Sequence, residues 1–175
     1  HRFPIDQARD AFDLVVRGGG GLGAVLLRYP TETMPLSASV KTGNPPRATG
    51  GPVLGVVGPG NHFRDRLLPA IQDFSGATIK SVCCRRGTSA TLAARDCEAE
   101  VATTDVEELF ADETIDAIVI ATRHDSHARL VLDALKAGKG VFVEKPLCLT
   151  SEELLEIRAL IAELGGEPRL MVGYN

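Results

Sequence analysis

The chain has 175 residues, which suits one domain of ordinary size plus an appendage and excludes a second full catalytic domain, because single cores occupy roughly 100–200 residues. Its 44% hydrophobic and 24% charged residues are a globular composition, and no stretch approaches the roughly 20 uninterrupted apolar residues that a membrane span needs. A net charge of −4, with 19 Lys and Arg dispersed among 23 acids, argues against a nucleic-acid partner, which requires a basic surface.

At the N-terminus a helix is expected from Ile5 to about Val16, with Ala8, Ala11, Phe12, Val15 and Val16 on one side, followed by a glycine run and a strand from Gly23 to Leu27. One helix and one strand cannot bury a core, so this piece is expected either to belong to a larger domain or to pack on the later part of the chain. The string from His1 to Phe12, followed by Gly23–Tyr29, resembles the C-terminal end of medium-chain alcohol dehydrogenases. No zinc ligand or nucleotide loop of that family falls in the matching part. The sequence starts at His1 and ends in the apolar run 169–175, which reads as an emerging strand, so a fragment is expected. Residues 1–20 lack the apolar segment of a secretory signal, and a cytoplasmic location is expected.

Residues 31–51 carry Pro35, Pro45, Pro46, Gly43, Gly50 and Gly51 with little periodic apolar pattern, a linker composition. The expected organisation is therefore an appendage over 1–30, a linker over 31–51 and a compact domain over 52–175. In that domain apolar runs alternate with helical patterns: 53–57, 79–84, 117–121, 141–143 and 170–172. Such alternation specifies βαβ units, and runs without polar alternation suit strands covered on both faces. An α/β fold with a doubly wound parallel sheet, the Rossmann nucleotide-binding arrangement, is the consequence. Thr104-Asp-Val-Glu107 and Thr150-Ser-Glu-Glu153 match the capping box and mark helix starts, while Gly138 and Gly165 mark helix ends. Cys83, Cys84, Cys97 and Cys148 lack metal-ligand spacing; no metal site or disulfide framework is expected, and the adjacent pair reads as small apolar filler in a reducing compartment. Nothing marks Cys148 as an activated nucleophile.

The first strand of the domain runs into Gly58-Pro-Gly60-Asn61 and then a helical stretch. Gly58 permits the tight turn, Gly60 lets backbone approach a pyrophosphate, and the helix start presents N–H groups to the anion. Phe63 stands where the third glycine of that pattern belongs, a departure from close helix–strand contact, and His62 reads as a solvated loop residue. The second strand ends in Cys84-Arg85-Arg86, without the acid that accepts from an adenosine ribose 2′-hydroxyl. Arg85 and Arg86 suit a 2′-phosphate instead, so NADP is favoured over NAD. Two later strand ends carry Thr122, Arg123 and His124, with His127 following, and Glu144, Lys145 and Pro146. Groups past the carboxyl ends of such strands line the ligand crevice, so these are expected to converge on one bound molecule. Lysine there polarises or deprotonates a hydroxyl if burial and a positive nicotinamide lower its pKa, with the neighbouring glutamate holding it in place. His127, near a helix start, reads equally as a packing or capping histidine and as a cofactor contact.

These residues, together with Ile115-Asp-Ala-Ile-Val-Ile-Ala-Thr122, Ala137-Gly-Lys139 and Glu144-Lys-Pro146, resemble the nucleotide domain of the Gfo/Idh/MocA oxidoreductases over residues 52–175. The resemblance implies NAD(P)-dependent oxidation or reduction of a sugar, cyclitol or related polyol, with Lys145 near nicotinamide and substrate and a cis peptide before Pro146. The residues expected to contact the cofactor are Gly58, Gly60, Asn61, Arg85, Arg86, Thr122, His124, His127, Glu144, Lys145 and Pro146. The resemblance also implies a substrate domain following Asn175, without which the fragment is expected to bind cofactor but hardly turn over; a homo-oligomer is expected for the full-length protein. The joined order of tail, linker and domain is similar to two-domain oxidoreductase fusions. The competing reading is a nucleotide-binding sensor or scaffold without chemistry.

Overall fold

The computed structural model describes residues 1–18, 24–30, 37–44, 50–73, 76–165 and 169–174. They fall into two compact units, His1–Ser37 and Ala38–Asn175. The first holds β1 (Arg2–Pro4), a 3-10 turn (Ile5–Gln7), α1 (Ala8–Arg17) and β2 (Leu26–Arg28). β1 and β2 pair in parallel, Phe3 opposite Leu27. Of the apolar side of α1, Ala11 is buried while Phe12, Val15 and Val16 are exposed. Gly23, the expected start of the strand, lies outside the described residues, as do 31–36 and 45–49 of the expected linker.

The second unit contains β3 (Ser39–Lys41), β4 (Val53–Val57), a π-helical turn (Phe63–Leu67) leading into α2 (Leu68–Asp73), β5 (Thr78–Cys83) and α3 (Gly87–Asp96). After these come β6 (Val101–Thr103), α4 (Glu107–Ala111), β7 (Ala117–Ile120), α5 (His127–Lys136), β8 (Gly140–Glu144), α6 (Ser151–Glu163) and β9 (Leu170–Gly173). Its strands form one sheet in the order β3-β6-β5-β4-β7-β8-β9. All pairings are parallel except that of β3 with β6. The parallel strands start at β4, proceed outward through β5 and β6 on one side, then return to β7, β8 and β9 on the other, so the direction of winding reverses between β4 and β7. That reversal is the topological switch point at which open α/β sheets bind ligands.

Strand chemistry explains the two-sided burial. Ile118 and Ile120 point to one face and pack with Val131 and Leu135 of α5 and Ile157 and Leu160 of α6. Val119 between them points to the other face and joins Val56, Val82, Phe63, Leu68 and the small side chains Ala90, Ala93 and Ala94 of α3. Each fully buried isoleucine contributes about 1.5–3 kcal/mol of transfer free energy. Phe63 is completely enclosed, and the helix that opens at Asn61 passes through a wider π-type turn over Phe63–Leu67. No helix among the described residues is long and apolar enough to cross a membrane.

Two expectations change. The segment read as linker contributes β3, held by Thr42 N–H to Glu100 O at 2.9 Å and by Asn44 Nδ2 to Ala99 O at 3.0 Å. Its Ser-Val-Lys sequence has no strand signal, and Val40 is 56% exposed, so the ladder with β6 makes it a strand. The same strand alters the start of α4. Thr104 gives its N–H and hydroxyl to Ala38 O, at 2.9 and 3.3 Å, so it does not cap the helix. Asp105 Oδ1 accepts from Glu107 N at 3.0 Å instead. The second capping box forms as expected: Thr150 Oγ1 accepts from Glu153 N at 3.2 Å, and Glu153 Oε2 accepts from Thr150 N at 3.1 Å.

Candidate active site

The carboxyl ends of β4, β7 and β8 meet around a cleft of about 310 Å³ lined by Gly60, His62, Phe63, Ala121, Thr122, His124, Glu144 and Lys145. Each wall has a local cause. After β4 the backbone turns at Gly58, where φ is +71° and an added Cβ would lie 2.5 Å from Thr122 Cγ2 and 2.9 Å from Thr122 Cα. Glycine is thus required twice there, by dihedral and by the close approach of the β7 end. The Gly58 and Gly60 N–H groups are turned inward, to Cys83 O at 2.9 Å and Gly58 O at 2.7 Å, which shapes the turn. At Gly60 an added Cβ would meet nothing closer than 4.0 Å, so its surface is open on the cleft side. This is the low, open backbone ledge on which a diphosphate can rest.

After β7, Thr122 is half-buried and its hydroxyl accepts from Ser126 Oγ at 2.7 Å, while His124 starts a 3-10 turn and is exposed. After β8, the Glu144 side chain is only 13% exposed; its Oε1 accepts from His62 Nε2 at 3.1 Å and its Oε2 from Lys145 N at 3.3 Å. Lys145 is exposed at the cleft edge, and the Lys145–Pro146 peptide is cis, as the family resemblance implies. His62, expected to be a solvated loop residue, is solvated, with 57% of its side chain exposed, but it stands in the first turn of a helix and pairs with Glu144 at the cleft. No local signal announces this pairing, because the partners are 82 residues apart and meet only when β4 and β8 flank β7. The pair also borders a second groove of about 630 Å³ that continues over Arg66, Leu67, Phe142, Met171, Gly173 and Tyr174.

The remaining predicted residues lie around rather than on this cleft. Asn61 is exposed on the glycine turn, and Arg85 and Arg86 are exposed past the end of β5, on the side away from β7. Pro146 is half-buried behind Lys145. His127 requires a correction: it is wholly enclosed, with Nδ1 2.7 Å from Pro146 O and Nε2 3.1 Å from Thr122 O, so its ring presents no surface to a ligand. Cys83 and Cys97 are buried in the two apolar clusters, while Cys84 and Cys148 are half-buried beside them. Burial pushes the thiols of Cys83 and Cys97 up to about 12, so both stay protonated at neutral pH. Burial also raises Cys84, against the opposing pull of Arg64.

Comparison with known proteins agrees with this geometry. The family model for the oxidoreductase family with an NAD-binding Rossmann fold matches residues 53–174. An inositol 2-dehydrogenase from Saccharopolyspora erythraea is 34% identical over 122 residues, covering 69% of this chain and 35% of that protein. Among solved structures, an NAD-binding protein from Listeria innocua is 30% identical with a TM-score of 0.60, covering 69% of this chain and 34% of that one. A 3-ketoreductase from Actinomadura kijaniata in complex with NADP is 25% identical with a TM-score of 0.61, covering 66% and 37%. The chain thus spans about a third of the length of the curated relatives it matches. With the strand order, the glycine turn and the Glu-Lys-Pro strand end all in place, the chain belongs to the Gfo/Idh/MocA oxidoreductases, of which it carries the NAD-binding Rossmann fold.

Proposed function

We propose that this chain is the nucleotide-binding part of an NAD(P)-dependent oxidoreductase acting on a CH–OH group of a sugar, cyclitol or related polyol. The observation that carries the reading is the convergence of Gly60, Thr122, His124, Glu144 and Lys145 on one cleft at the topological switch point. The substrate class rests on similarity to an inositol dehydrogenase and a 3-ketoreductase. When bound, the nicotinamide cofactor supplies hydride acceptance and donation. The chain's own residues bind and orient. The turn from Gly58 to Asn61 carries the diphosphate, and Arg85 and Arg86 take a 2′-phosphate, which favours NADP over NAD. Thr122, His124 and Pro146 flank the reactive end of the cofactor. Glu144, bonded to His62 and to the Lys145 N–H, orients that strand end, and the Lys145 amine holds or moves the proton of the reacting hydroxyl.

Fluorescence titration with NADPH and NADH tests the reading. Saturable binding of both is expected, tighter for NADPH; a folded sample that binds neither at millimolar concentration overturns it. Finer parts of the reading are that residues 1–30 are the tail of an alcohol-dehydrogenase-like domain, and that the full-length protein is a cytoplasmic homo-oligomer. The uncovered Phe12, Val15 and Val16 of α1 suit a piece of a larger domain, and the four free thiols suit a reducing compartment. Light scattering on the full-length protein checks the oligomer.

A further inference from the structure

We propose that His127 is a positioning residue for Lys145: its Nδ1–H donates to Pro146 O and fixes where the strand end carrying the amine projects into the cleft. The inference rests on the reading of that cleft as the cofactor site, and goes beyond it by giving a role to a residue that touches no ligand.

Enclosing an imidazole costs free energy unless its polar atoms are bonded, and an apolar side chain of similar volume would fill the same space without that cost. The position therefore uses the ring's polarity. Both ring nitrogens of His127 face carbonyl oxygens, and a carbonyl only accepts. A neutral imidazole has one N–H, so only one of the two contacts is a hydrogen bond in that form; the contact with Thr122 O carries a second only when the ring holds a second proton. The Nδ1 contact, at 2.7 Å against 3.1 Å for Nε2, is the one to which we assign the proton.

The two carbonyls belong to the two turns that bracket the cleft, Thr122 after β7 and Pro146 directly after Lys145. Pro146 has no N–H with which to anchor its own turn. The bond from His127 supplies an anchor across 19 residues of sequence, from a ring seated at the start of α5 and in edge contact with His124, ring centres 5.5 Å apart. The adenosine side of the crevice, past β5, lies on the opposite side of β4 and does not share this anchor.

The test compares the parent with His127→Asn, whose amide nitrogen stands in for Nδ1, His127→Gln, whose amide nitrogen stands in for Nε2, and His127→Leu, which fills the space without a donor. Each is titrated with NADPH and with ADP, which lacks the nicotinamide half, after thermal unfolding confirms a folded sample. His127→Leu and His127→Gln are expected to bind NADPH about tenfold more weakly with ADP affinity unchanged, since tenfold corresponds to one lost hydrogen bond. His127→Asn is expected to remain close to the parent. Parallel weakening of NADPH and ADP, no change in His127→Leu, or rescue by Gln rather than Asn each overturn the proposal. Nitrogen-15 long-range correlation spectra of the parent supply an arm independent of variant folding: a proton on Nδ1 is expected, and a bare Nδ1 overturns it. A parent that binds neither NADPH nor ADP refutes the cofactor reading itself, an outcome distinct from these.

Discussion

The two halves of the crevice are built differently. Past β7 and β8, Thr122 accepts from Ser126, Glu144 accepts from His62 and from the Lys145 N–H, and the enclosed His127 lies against Pro146 O and Thr122 O. Past β5, Arg85 and Arg86 stand exposed at the start of α3. The bonds past β7 and β8 fix backbone and the Glu144 carboxylate, while the Lys145 amine itself is exposed like the two arginines; recognition of a phosphate dianion needs charge within reach and tolerates a mobile side chain. Under the proposed function, a cross-bonded strand end suits the placing of a reacting group, and exposed arginines suit the choice between cofactors.

That contrast can be broken at either end. In the full-length protein, Lys145→Ala is expected to lower turnover of its substrate by about 10²–10⁴-fold, the usual worth of a positioned acid–base group; intact turnover in steady-state assays would remove the lysine from the mechanism. Between the halves, Gly58→Ala places a methyl group against Thr122 and forces a positive φ. A loss of about 1–3 kcal/mol in stability and weaker binding of both cofactors are expected in thermal unfolding and titration. On the open side, Arg85→Ala combined with Arg86→Ala should weaken NADPH by about tenfold or more through lost charge-assisted hydrogen bonds and leave NADH unchanged. Equal losses for the two nucleotides would contradict the assignment of this end to the 2′-phosphate.

The smallest effect lies away from the crevice and serves as a control. Burial by itself raises the Asp112 carboxyl, but hydrogen bonds from Lys80 and Thr114 outweigh it and hold the group below its ordinary value. The unfolded chain then takes up this proton first as pH falls. The stabilisation is complete above the ordinary carboxylate value and is lost as pH drops through the lower folded one. Asp112→Asn should therefore flatten the acid side of a stability-against-pH curve, cost less than about 1 kcal/mol at neutral pH, and leave both halves of the crevice unaffected. An unchanged acid limb in chemical denaturation would show that the pair with Lys80, at 2.6 Å, has no energetic weight.

Much of the sheet was legible because its strands are buried on both faces and so are written as unbroken apolar runs; β4, β5, β7, β8 and β9 fall within one residue of the expected limits at each end. β3 and β6 were not legible. Each has three residues, and β3 in particular exists as a strand only through its ladder to β6. The glycine turn and the Glu144-Lys145-Pro146 strand end could be placed on the cleft side because strand polarity is set by the βαβ pattern. His62 and His127 could not, since neither residue type nor spacing tells whether a ring faces solvent, a carboxylate 82 residues away or two carbonyls in the interior.

From the chain alone come the alternation of strand and helix, the turn that only glycine allows, and the acid–base residues at strand ends, because these depend on local sterics and on the periodicity of apolar residues. The folded structure alone decides which of those groups share a cleft, which histidine is exposed and which is sealed, and how the edge beside β6 is covered. Those outcomes depend on contacts between residues far apart in sequence, and such contacts form only once two-sided burial has fixed the order of the strands.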